Sequence, residues 1–125
     1  MIRTTLLTLA AAATLTGCVR YNIDDRVAHA RLGEVAVLDG LSIAPIEVIE
    51  DSRCPEGVEC VWAGRLVVSA QLTDSTGGEL REIALGETFE ARGRSIEFFS
   101  ARPKAEEGLK PLTEDYRFGF RRAGD

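Results

Sequence analysis

The chain is short of the residues that most catalytic chemistry uses. It has one histidine (His29), one tryptophan (Trp62) and one methionine (Met1). A nucleophile–base pair therefore has at most one imidazole to draw on. None of Ser42, Ser52, Ser69, Ser75, Ser95 and Ser100 stands in a G-x-S-x-G context. No glycine-rich phosphate loop is present, and Gly77-Gly78 reads as a hairpin turn. Only carboxylate pairs stay open, because 20 acidic residues bring some pair together in any fold. Basic residues are also outnumbered, with 15 Lys and Arg against those 20. Nucleic acid needs a concentrated basic face, so it is excluded as a partner. Internal repeats and a long helical period are missing as well.

The longest apolar run lies at the start, in MIRTTLLTLAAAATLTGC. It is too short and alanine-rich for a spanning helix. One early arginine, an apolar stretch and small residues before Cys18 make a signal sequence over residues 1–17. LTGC resembles the bacterial lipobox, which implies cleavage before Cys18 and acylation of that cysteine. Several acyl chains anchor stably where one holds only marginally. In Gram-negative lipoproteins an aspartate after the cysteine favours the inner membrane. Val19 stands there, so the resemblance implies an outer-membrane protein facing the periplasm. Cleavage removes only Arg3 among the charges, leaving 14 basic against 20 acidic residues. Such a chain does not adhere electrostatically to anionic lipid, so the bilayer is a partner through Cys18 alone.

The mature chain is one small domain. Residues 18–33 read as a tether or loosely ordered lead-in, with a short helix from Asp24 to Leu32 as the alternative. From Glu34 to Asp125 the pattern is a single β domain. Asp39-Gly40 between apolar runs is a hairpin signal, pairing Leu38 with Leu41 and Ala36 with Ile43. Pro45 marks an edge position or a bulge. Leu66, Val68, Ala70 and Leu72 alternate with more polar neighbours, and a turn at Ser75 to Gly78 leads back through LREIAL. A third hairpin turns at Arg92-Gly93, and Pro103 stops its second strand. KAEEGLKPLTED reads as an exposed loop. In YRFGFRR, Tyr116, Phe118 and Phe120 share one core-facing side. Six or seven strands make an all-β fold, a small antiparallel sandwich or barrel.

The segment DSRCPEGVECVWAG carries the two remaining cysteines. With Cys18 acylated, Cys54 and Cys60 have only each other in an oxidising compartment, so a disulfide is the default. A structural zinc site needs a second ligand pair, which is missing. Thioredoxin-type exchange needs C-x-x-C at a helix start, not five intervening residues before a strand. No metal or cofactor is expected. Asp51 can cap the turn or pair with Arg53. Trp62 is expected in the core beside the disulfide, with a ligand-stacking role as the alternative. The outward side of the turn carries Arg53, Glu56 and Glu59, which with Trp62 form the candidate binding surface.

Asp51, Ser52, Arg53, Cys54, Pro55, Val58, Cys60, Trp62, Ala63 and Gly64 fall in a pattern that resembles a family of small bacterial lipoproteins and secreted proteins of unassigned function. The likeness extends over residues 33–122. It implies no catalytic residue. The expectation is a non-catalytic binding or accessory module of the cell envelope, with an envelope protein as partner. The alternatives are a structural or stress-related envelope protein without a tight ligand and, less favoured, a small periplasmic hydrolase. His29, between Ala28 and Ala30, is expected to be incidental.

Overall fold

A computed structural model describes residues 26–124. The expected signal sequence, Cys18 and the first part of the expected tether lie outside the described residues. Eight strands form two antiparallel four-stranded sheets. They are β1 (Val27–Arg31), β2 (Ala36–Leu38), β3 (Leu41–Asp51), β4 (Leu66–Asp74), β5 (Gly77–Ala84), β6 (Thr88–Ala91), β7 (Arg94–Arg102) and β8 (Arg117–Arg122). One sheet has the order β1-β8-β7-β6 and the other β2-β3-β4-β5. Their inner faces meet in one core, so the fold is a sandwich.

Alternation builds that core. Leu41, Ile43, Leu66, Val68, Leu72 and Ile83 face inward from one sheet. Ile96, Phe98, Phe118 and Phe120 face them from the other. The Phe98 ring lies 5.7 Å from Phe118, edge to face, and 5.1 Å from Phe120. Burying aromatics of this size dominates the energetics of so small a core.

The turns follow their local chemistry. β2 and β3 pair Ala36 with Ile43 and Leu38 with Leu41, the register that Asp39-Gly40 predicts. Both turn residues have positive φ, 52° and 73°, as a two-residue hairpin of this twist requires. Arg92 and Gly93 do the same at 49° and 78°. An arginine at positive φ is uncommon. Here its side chain is held: Nε donates to Asp74 Oδ1 at 2.6 Å and Nη2 to Thr76 Oγ1 at 2.6 Å. Arg94 donates to the other Asp74 oxygen at 3.1 Å and to the Asp39 carbonyl at 2.5 Å. Three hairpin turns are thus stitched together at one end of the sandwich, where β1 also begins. The Asp74 carboxyl is held far below the ordinary range by Thr76, Arg92 and Arg94.

Over Val27–Arg31, β1 corrects the expectation of a tether (residues 18–33) or a short helix (Asp24 to Leu32). Val27–Arg31 pairs along its length with β8, bringing His29 opposite Gly119. The inward side chains are only alanines, Ala28 and Ala30, so the period of two carries almost no hydrophobic contrast. The outward ones, His29 and Arg31, protect a sheet edge with polar groups. His29 packs edge-on against Phe99 at 6.0 Å.

Candidate functional site

The end of the sandwich away from the stitched hairpins carries the DSRCPEGVECVWAG segment. β3 runs out at Asp51 and β4 starts at Leu66, which is its partner. Between them the chain makes a loop closed by the Cys54–Cys60 disulfide, with Cα atoms 6.0 Å apart. At the neck, Ser52 N donates to the Arg65 carbonyl at 2.9 Å, and Arg65 N donates to Ser52 Oγ at 3.1 Å. Gly64 passes so close to the incoming strand that a Cβ there would fall 1.6 Å from the Ser52 carbonyl oxygen. Only glycine permits that crossing.

Asp51 and Arg53 form the inner hinge of the loop. The guanidinium presents Nε and Nη2 to the two carboxylate oxygens at 2.8 and 2.9 Å, a bidentate pair. Its Nη1 donates to the Pro103 carbonyl at 3.0 Å. From 65 positions away, the Tyr116 hydroxyl donates to Asp51 Oδ2 at 2.7 Å. The Arg53 and Asp51 side chains are 12% and 15% exposed. The Arg53 hydrogen bonds outweigh burial and hold the Asp51 carboxyl below its usual range. Burial first, then the Asp51 bond, pushes the Tyr116 phenol up to about 12.

This geometry redistributes the expected binding surface. Arg53 is held by Asp51 and the Pro103 carbonyl and so anchors the loop, and its side chain also lines the cleft beside it. Glu56 stays at the surface, where Lys104 Nζ lies 3.2 Å from it; an exposed pair of this kind adds little. Glu59 is exposed, and no cation pairs with it among the described residues. Trp62 is the main correction. It is 72% exposed and Val61 is 93% exposed. The strand does not start at Val61 but at Leu66, after the Gly64 crossing. Alternation within VWAGRLVV therefore carries no core face before that point, and Trp62 sits on the outer leg of the loop.

Beside the loop lies a cleft of about 560 Å³. The second half of β3 forms one wall, and the chain from Ala105 to Tyr116 forms the other. Ile46 and Leu109 project there, 54% and 67% exposed, with Ile49 near them in exposure. This cleft is not legible in the sequence, since its walls are some 60 positions apart. The one local sign was a tyrosine, not a third phenylalanine, at the head of the Tyr116, Phe118, Phe120 series; a buried hydroxyl calls for a partner. Among the described residues no three His, Cys, Asp or Glu side chains are grouped to hold a metal ion. Compared with family models, curated proteins and solved structures, the chain matches none.

Proposed function

We propose that the protein is a non-catalytic binding module of the cell envelope, anchored by an acylated Cys18 and engaging a partner protein through the disulfide-closed loop. The observation that carries this reading is the exposed Val61–Trp62 pair on a loop fastened at its neck and across its middle. A large aromatic held in water on a rigid loop needs little backbone ordering when a partner covers it. The lipobox-like LTGC and the resemblance of the DSRCP segment to envelope lipoproteins support the compartment. The two titratable groups bonded at the base of the loop are not poised as a general acid or base. A general acid or base works best with its pKa near neutrality. Asp51 is moved down and Tyr116 up, both away from it.

The test is site-specific photo-crosslinking in the native envelope, with the probe residue at position 62 of the full-length lipoprotein. A discrete protein adduct at 62, absent when the probe replaces exposed Ser75 in the far turn, is the expected result. No adduct at 62, or the same adducts from both positions, refutes the reading. Mass measurement of the mature protein tests the anchor: a form retaining residues 1–17 with unmodified Cys18 removes it.

A further inference from the structure

The sheet β2-β3-β4-β5 has an edge that its own strands leave open. β2 covers only Leu41 to Ile43 of β3. The last backbone bond on that side is Gly33 N to the Pro45 carbonyl at 2.9 Å. Pro45 then offers no N–H, so the ladder on that side stops there. Beyond it, Glu47, Val48, Glu50 and Asp51 pair with β4 alone, and Ile46 and Ile49 bulge out of the ladder. The cleft is lined by these six residues without a gap. The two bulges take Ile46 and Ile49 out of strict alternation, so the run of lining residues follows the side of β3 that β2 leaves uncovered. The groove lies along this open edge, with the chain from Ala105 to Tyr116 as its far wall.

We infer that this edge receives an extended peptide segment of a partner, added to the sheet as a further strand, with apolar residues alternating with basic ones. Ile46, Ile49 and Leu109 supply the apolar contacts. The charge of the groove fixes the basic character. Asp51 and Arg53 neutralise each other, and Glu50 is taken by Arg65 at 2.7 Å. Glu47 and Glu106 remain against Lys110 alone. A second copy of this chain, with formal net charge −5, would set the same acidic edge against itself. Four laddered residues and two bulges span at most roughly 20 Å, within the length of an ordinary strand. Main-chain pairing supplies affinity in this mode, and the flanking side chains supply selectivity. The inference rests on the binding-module reading and names the partner chemistry at the same end of the molecule.

The probe is an end-capped peptide of about eight residues alternating valine and lysine. It is titrated into the full chain in detergent, with amide hydrogen exchange as the second readout. Binding with slowed exchange in Ile46 to Asp51 is expected. N-methylation of alternate peptide amides should weaken it about tenfold or more, through lost main-chain bonds. A valine–glutamate peptide and the Glu47→Lys variant should each weaken it as well. Binding indifferent to N-methylation, or protection elsewhere, overturns the inference. Protection of the same amides that rises with protein concentration in the absence of peptide also overturns it, since the occupant is then a second copy. Peptide binding without an adduct at position 62 overturns only the loop reading; an adduct at 62 without peptide binding overturns only this one.

Discussion

Replacing Asp51 by alanine removes one carboxylate and strands two groups. Arg53 loses both bonds of its fork and keeps only the Pro103 carbonyl. The Tyr116 hydroxyl, on a residue 5% exposed, loses its acceptor. Exposed ion pairs contribute about 0–1 kcal/mol, and breaking a fully buried one costs about 3–5 kcal/mol. Side chains 12% and 15% exposed lie between those limits. An unsatisfied buried hydroxyl adds about 1–3 kcal/mol. Water reaching the loop relieves part of both, so the expected loss is about 2–4 kcal/mol. For a domain of this size, that lowers Tm by roughly 10–20 °C. Urea unfolding of Asp51→Ala, Tyr116→Phe and the double variant measures it directly. Tyr116→Phe alone should cost about 1 kcal/mol, and the cycle should return a coupling of about 1 kcal/mol. A loss under about 0.5 kcal/mol for Asp51→Ala, or additive single changes, would refute the view that this carboxylate ties the loop to the end of the sandwich.

Gly64→Ala cannot be accommodated by a side-chain shift, because the obstructing atom is the Ser52 backbone carbonyl. The neck must open, and hydrogen exchange at Ser52 and Arg65 should accelerate while the β7–β8 amides stay protected; unchanged exchange at the neck would contradict the crossing. Stability should also fall at both extremes of pH. Glu50, Asp51, Asp74 and Glu97 have folded pKa values below their ordinary ones. Their contribution is complete above the ordinary carboxylate range and is lost as pH falls below about 4.5, where the unfolded chain binds more protons. Tyr116 behaves in the opposite sense: its raised pKa contributes below about 10, and that contribution disappears as pH climbs toward about 12. Denaturation midpoints measured across pH check both limbs, and Tyr116→Phe should flatten the alkaline one and, through the lost bond to Asp51, weaken the acid one only slightly.

The parts legible in the sequence are those written in neighbouring residues. Asp39-Gly40 and Arg92-Gly93 set their turns because the backbone there needs positive φ. Phe118 and Phe120 declared a core face through alternation with Arg117, Gly119 and Arg121. The Cys54–Cys60 bridge was legible because the expected acylation of Cys18 left each of them only the other to pair with. β1 escaped because Ala28 and Ala30 give too little contrast with His29 and Arg31. Trp62 was misjudged for a related reason: alternation was read through Gly64, where the loop neck, not the pleat, decides direction. The bond from Tyr116 to Asp51 and the open edge of β3 depend on topology across half the chain, for which adjacent residues carry no signal.

The stitched hairpins have a bearing on how the molecule stands in its surroundings. β1 begins at that end, since Val27 pairs with Arg121 and Arg31 with Arg117. Tyr116, the disulfide loop and the cleft occupy the other end. The eleven residues of β3 separate the two by roughly 30 Å. On the proposed acylation at Cys18, the leash is therefore fastened to the pole opposite the loop. A body tied by its heel carries its head at the far end of the leash: on that proposal, Trp62 lies at the end of the domain remote from the point of attachment.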